Sequence, residues 1–335
     1  MKPVEIDGQY NADSVAFLAD GEHIVGGGEN RRIRRWRVKD GKEVGTPMYA
    51  GRPVTSIAVS RDGKWIVSGT DRGEVAVWDA ETHKKVSEFS THGDKWVKVN
   101  AVDVSPDATR IATASGDGTL CLWSLLICER LLAPFKHGDW VHSVKFSPNG
   151  YLIATVTPSH QHYKPESAAV RVYNGQNGSL LADIRIPIWW GSSEYLFWRS
   201  DSKQLLVFSS DGSIHHLDVF TRRTLSKWII CSNDNPASDI ALQSDGSFIV
   251  AFGGSSLSFW DIVTHEQIGP VIQAHHSSGV FCMRISANYD LAIVVGGKIT
   301  LRNIRHILPS SYIDDDRVSA LASSVLPCSS QTHLL

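Results

Sequence analysis

Short runs of alternating apolar and polar residues, separated by turn formers, recur along most of this chain. Val15-Ala16-Phe17 and Val144-Lys145-Phe146 typify the first run of each unit, and Asp20-Gly21, Asp62-Gly63, Asn149-Gly150 and Asp245-Gly246 follow such runs. Period-two alternation predicts half-buried strands. Asp-Gly and Asn-Gly supply the positive φ angles that tight hairpins require. Asp107-Ala108, Asp201-Ser202 and Asn288-Tyr289 hold the same place in three further segments with weaker turn chemistry. A second strand follows each marker, as in Ile66-Val67-Ser68-Gly69 or Ile111-Ala112-Thr113-Ala114, then a turn and a third strand. The predicted unit is an antiparallel meander.

The units repeat. Aligned on the aromatic or leucine near the end of the third strand, they place Trp36, Trp78, Trp123, Tyr173, Leu217, Trp260 and Leu301 in phase, at intervals of 42, 45, 50, 44, 43 and 41 residues. A period near 40 to 45 residues is what one propeller blade imposes on a sequence. The segments SRDGKWIVSGTDRGEVAVWDAETHKKV and SPDATRIATASGDGTLCLWS closely resemble the WD40 repeat in order, spacing and residue type, and the resemblance extends over about residues 10 to 304. The second and third repeats are strong, whereas the fourth, fifth and seventh depart from the pattern. Only Trp78-Asp79 and Trp260-Asp261 keep the full dipeptide.

The resemblance implies an all-β fold: a seven-bladed propeller of four-stranded antiparallel blades over residues 1–305. Closure buries sheet faces that a lone blade would leave open and removes edges prone to foreign pairing. WD40 proteins usually seal the ring by letting the N-terminal strand complete the last blade. Residues 2–6 suit that role, and residues 279–304 would supply the other three strands. A Pro-, Ser- and His-containing insertion at residues 157–168 stretches the fourth repeat and reads as a loop between two strands. Residues 306–335 form a Ser-rich tail, in which Asp314 to Asp316 precede Val318, Leu321, Ala322, Val325 and Leu326 at amphipathic-helix spacing. Docking on the ring, capture of a partner and disorder are all open to that tail.

Composition narrows the setting. With 335 residues and 42% hydrophobic content the chain can bury a large core, and 33 basic against 35 acidic residues leave a formal charge of -2. No global field steers it toward nucleic acid or acidic lipid, so any electrostatic partner must be recognised locally. The start lacks the basic-then-apolar order of a signal peptide, and the longest apolar stretch, at residues 120–128, is too short to span a bilayer. Five scattered cysteines without a Cys-x-x-Cys pair suit a reducing compartment, cytoplasm or nucleus.

Few residue sets suggest chemistry. His92, Thr113, Ser115, Asp117 and Trp123 in the third repeat superficially offer a Ser/His/Asp arrangement. The resemblance assigns them instead to a buried hydrogen-bonded tetrad of His, Ser or Thr, Asp and Trp, a structural network. His137 and His276 are fragments of such tetrads elsewhere, and Tyr173 and Leu217 lack the indole donor, which leaves more to packing there. His160 and His162 could share a metal with His137 or His142, but no further donor completes a set and a solvated loop is the simpler reading. No phosphate loop, HExxH or nucleophile elbow occurs. No catalytic centre, metal or cofactor is expected.

Two surface features remain. Between Glu29 and Lys42, seven basic residues, Arg31, Arg32, Arg34, Arg35 and Arg37 among them, face two acidic ones. Arg35 takes the place of apolar Val77 and Leu122, which implies a solvated blade face or an anionic ligand. Phosphoinositide-binding propellers carry Phe/Leu-Arg-Arg-Gly, which Asn30-Arg31-Arg32-Ile33 does not match. Trp96, Trp140, Trp189 and Trp190 stand where the chain enters inner strands, and in WD40 domains residues there surround the channel mouth, the usual docking surface. With Lys98 and His142 they are candidate partner-binding residues, against burial between blades. The expected function is a non-catalytic scaffold, a monomeric ring within larger assemblies that binds other proteins or peptides. An anion-directed adaptor using the arginines is the alternative, and a propeller enzyme a weaker one.

Overall fold

Each hairpin between first and second strands turns on a residue in the left-handed region, where glycine is favoured. Gly21, Gly63, Gly150 and Gly246 take φ of +65°, +73°, +74° and +72°. Ala108, Ser202 and Tyr289, the positions with weaker turn chemistry, take the same conformation at +53°, +56° and +63°. A side-chain cap supports the strain in several of these turns. Ser60 and Ser105 each donate to the following carboxylate, Asp62 or Asp107, at 2.5 Å and accept the backbone N–H that opens the next strand, that of Trp65 or Arg110, at 2.9 Å.

The structure, a computed structural model, describes residues 3–6, 12–91, 97–157, 167–187, 196–209, 211–232, 235–237, 239–273 and 280–313. Among the described residues the strands form seven four-stranded antiparallel sheets and one two-stranded hairpin. Blade one runs Ala12–Phe17, His23–Gly28, Arg32–Arg37 and Met48–Tyr49, from the channel outward, and blades two to six repeat that order. In blade seven Val280–Ile285, Asp290–Val295 and Lys298–Asn303 are joined by Val4–Ile6 as the outer strand, with Val4 opposite Leu301 and Ile6 opposite Ile299. The chain therefore closes its own ring as a seven-bladed β-propeller. In blade four Leu152–Thr157 and Ser167–Asn174 flank the insertion, so the strands take residues at both ends of the expected loop, and residues 158–166 lie outside the described residues.

Seven apolar clusters fill the seven seams, each drawing on two neighbouring blades. Trp36 packs into the seam between blades seven and one, Trp78 between one and two, Trp123 between two and three, and Tyr173 between three and four. In blades one to six the repeat marker stands opposite the second residue of the second strand, as Trp78 does opposite Ile66 and Leu217 opposite Leu205. Blade seven corrects the alignment by one residue: Arg302, not Leu301, stands opposite Leu291. Leu301 points instead into the seam with blade one. A leucine one residue away mimicked the marker because only register, which alternates faces, separates them.

Closure tests the fit of glycine. Gly41 in blade one has φ +67°, and a Cβ there would lie 2.8 Å from Val4 Cγ1 of the sealing strand. Gly51, with φ +78°, has nothing within 4 Å of the same position. Gly41→Ala is expected to lower unfolding free energy by more than Gly51→Ala, whose cost is left-handed strain of about 1 to 2 kcal/mol. Urea unfolding of the two variants checks this, and equal losses would mean that Val4 does not press on Gly41.

Candidate functional site

The first strands of blades one to three each carry a bulge near their start, at Asp13, Thr55 and Asn100. A bulge re-aims a side chain, and here two of the three reach the next blade. Thr55 Oγ1 donates to Val99 carbonyl at 2.5 Å, and Asn100 Nδ2 donates to Val141 carbonyl at 2.9 Å. Just inside, Ser14 accepts the N–H of Ile57 and Ser56 that of Val102. Asp103 accepts the N–H of Phe146 at 2.7 Å and sits 3.5 Å from Lys145 Nζ. Asp13, Thr55, Asn100, Lys145 and Arg284 thus line a narrow, polar central channel. Burial pushes the Asp13 carboxyl above the usual range, repulsion from Glu29 adds to this, and Lys98 opposes it.

Of the candidate docking residues, Trp140 precedes Val141, whose carbonyl takes the Asn100 bond, and has 49% of its surface exposed. Its ring stacks on His142, with centroids 6.3 Å apart and planes at 24°, and Asp139 accepts its backbone N–H at 2.8 Å. Lys98 is exposed, while its carbonyl accepts the Gly116 N–H. Trp96, Trp189 and Trp190 lie outside the described residues, as do His92, His160, His162 and His276.

Of the five residues assigned to one tetrad, the four that are described make the following bonds. Trp123 Nε1 donates to Thr113 at 3.0 Å, as Trp78 does to Ser68 in blade two. Ser115 Oγ accepts the Asp117 N–H, and Asp117 takes the Thr119 hydroxyl at 2.7 Å, a turn-closing pair. In blade one Gly26 stands at the Ser68 and Thr113 position, and a Cβ there would lie 3.1 Å from the Trp36 ring. Blade four, where the sequence leaves more to packing, also holds a buried network. Tyr173 hydroxyl lies 3.2 Å and Thr155 hydroxyl 3.1 Å from His137 Nε2, while His137 Nδ1 lies 3.2 Å from Phe135 carbonyl. With Nδ1–H donating to that carbonyl, Nε2 is the acceptor; the Tyr173 hydroxyl can supply its hydrogen while Thr155 donates to the Arg171 carbonyl at 3.5 Å. A phenol substitutes for the missing indole, and the signal was the polar tip of Tyr173. Both ring nitrogens of His137 are engaged, and among the described residues no group of three or more His, Cys, Asp or Glu side chains is placed to hold a metal ion.

The arginine run is largely absorbed by the fold. Arg34 Nη1 reaches both Glu43 oxygens, at 2.7 and 2.6 Å. Arg35, only 16% exposed, donates to Ala80 carbonyl of blade two at 3.1 Å and pairs with Asp20 at 3.6 Å. That geometry corrects the expectation of a solvated face: Arg35 is a strut between blades. Arg37 grips Asp40 through two bonds and holds its carboxyl down at about 2. Arg31, in a left-handed turn at φ +61°, and Arg32 are exposed. The five arginines do not converge on one site.

The family described as WD domain, G-beta repeat matches residues 42–79, 83–124 and 129–160. The first two matches each begin in the outer region of one blade and end with the third strand of the next, an offset that interlocks neighbours. Among related chains, rice Small ribosomal subunit protein RACK1y is 29% identical over 154 residues, 44% of this chain and 42% of that one. Arabidopsis thaliana WD repeat-containing protein 55 is 23% identical over 79% of this chain and 71% of its own length. Mouse Cilia- and flagella-associated protein 52 is 32% identical over 85% of this chain and 37% of its own. This chain thus spans well under half of the rice and mouse proteins. The β-propeller domain of Myceliophteria thermophila Cps50 (Swd1) superposes with a TM-score of 0.72 at 14% identity, covering 90% of this chain and 99% of that domain.

His137 gives the network a pH signature. Burial first, and then the Arg171 charge, lower its pKa from 6.5 to about 4, against the pull of Phe135 carbonyl. The unfolded chain therefore binds this proton more readily. Stability from a neutral His137 is complete above pH 6.5 and is lost as pH falls toward about 4, by on the order of 3 kcal/mol. Urea midpoints at pH 7 and 4.5 should fall less in His137→Gln than in the unaltered protein; parallel falls would exclude His137 as the source.

Proposed function

We propose that this chain, which belongs to the WD40-repeat β-propellers, is a non-catalytic scaffold that binds partner proteins or peptides at the mouth of its channel. The observation that carries the reading is Trp140, a half-exposed indole backed by His142. A rigid aromatic anchor loses little side-chain freedom on binding, and such residues dominate interface energetics. Rigidity comes from the seams, whose hydrogen bonds link consecutive blades from Ser14 to Asp103. A disc held this way can present several loop surfaces at once without changing shape. Its chemistry is recognition, and the reaction it serves belongs to whatever it gathers.

The setting we assign is the cytoplasm or nucleus, in keeping with the thiols at Cys121, Cys128 and Cys282; no helix among the described residues is long and apolar enough to cross a membrane. The ring acts as one copy within a larger assembly. An anionic ligand at the first blade has less support, because Glu43, Asp20 and Asp40 already engage three of its arginines.

The test is affinity capture with the native protein beside Trp140→Ala and a Trp96→Ala/Trp140→Ala pair, each checked for an unchanged melting transition. Loss of at least one partner, by about tenfold in affinity for an anchor worth some 1.4 kcal/mol or more, is the expected result. An unchanged partner set would remove the mouth from consideration, and no partner at all would count against the scaffold itself.

A further inference from the structure

In blades one to six the chain turns back after the third strand to form its own outer strand. Blade seven cannot do this, because Val4–Ile6 already occupies that place. The chain instead crosses the seam between blades seven and six. Ile304 is fully buried and Leu308 is 6% exposed, both within the apolar cluster of that seam, and Ile307, Tyr312 and Ile313 pack partly against it. The fold thus continues past residue 305, where the repeat pattern stops.

The crossing is fastened at its far end by two tyrosines. Tyr289 hydroxyl, from blade seven, donates to the Tyr312 carbonyl at 2.7 Å. Tyr312 hydroxyl then donates to Asp261 Oδ2, from blade six, at 2.6 Å. The other Asp261 oxygen accepts the N–H groups of Val263 and Thr264 at 2.7 and 2.6 Å, so the carboxylate is fixed before the tyrosine reaches it. Phe248 meets the Tyr312 ring edge-on at 6.1 Å. Another seam is tied by the blades' own residues, as where Arg110 of blade three holds Gly150 and Gly175 carbonyls of blade four. Here the tie comes from a segment that belongs to no blade.

We infer that residues 304–313 form a second clasp, which holds blade seven to blade six independently of Val4–Ile6, so that blade seven stays seated on blade six when the sealing strand is unseated. The two clasps differ in chemistry. The first is a ladder only three residue pairs long, a length prone to fraying. The second combines buried apolar side chains with a hydrogen bond to a charged group, the stronger kind. Release of the first strand would expose one edge of Lys298–Asn303 and take Ile6 out of the seam with blade one, while the apolar seam with blade six remains covered.

Amide hydrogen exchange on the full chain tests this. Val4→Asp/Ile6→Asp should unseat the first strand, and Tyr312→Phe should remove the hydroxyl tie alone. The first variant is expected to exchange faster at residues 298–303 while residues 256–261 and 290–295 stay within about threefold of the unaltered protein. Adding Tyr312→Phe should then raise exchange in both of those segments by about tenfold or more, and Tyr289→Phe on the same background should act likewise. The inference is overturned if the first variant already deprotects residues 290–295 or fails to fold, or if adding either tyrosine change alters nothing.

Discussion

Everything in this protein depends on the packing of one blade against the next. A four-stranded sheet has two faces, and each of these sheets packs them against its neighbours. Among the described residues, seven seams, each with its own apolar cluster, form the core. A ring distributes the requirement evenly, and an open seam would leave two apolar faces in water at once. That explains why covalent continuity is not enough and why Val4–Ile6 must return to the last blade. It also explains why Gly41, against which Val4 packs, carries no side chain.

Around this common frame each seam solves its polar problem differently. Ser14 and Ser56 satisfy the N–H of the adjacent inner strand, and Asp103 performs the same service where Ala101 offers no hydroxyl. The wide positions vary more. Arg35 braces blade two from blade one, Cys128 Sγ meets Ser87 Oγ at 2.8 Å between blades three and two, and His265 stacks on Trp228 at 3.9 Å between blades six and five. These contacts use whatever chemistry the turns supply, because a seam needs its polar groups paired and does not specify by which residues. Blade four illustrates the latitude: His137, Thr155 and Tyr173 rebuild a buried network with a phenol in the indole's place.

The same economy bears on function. Charged residues that looked available along the chain are mostly paired within the fold: Arg34 and Arg37 bind carboxylates of their own blade, and Arg35 braces the next. What stays at the surface is the loop set on the two faces and an aromatic such as Trp140, backed by His142. A scaffold of this design separates the residues that fix its shape from those that meet partners, so the second set can change without loss of the first.

The sequence by itself determined the repeat, the meander and the seven hairpin turns, while the sealing strand was implied by the family resemblance those features carry. These depend on local patterns: alternation, turn chemistry and a period that survives even where glycine is replaced by Ala108, Ser202 or Tyr289. Tertiary structure alone decided the rest. It exchanged Leu301 for Arg302 at the marker position, turned Arg35 from a surface charge into a strut, gave Tyr173 a histidine partner 36 positions earlier, and joined Tyr312 to Asp261 across 51 residues. Each of these depends on which groups from distant parts of the chain share a seam. A strand's sequence records which residues alternate, but not which neighbour will face them.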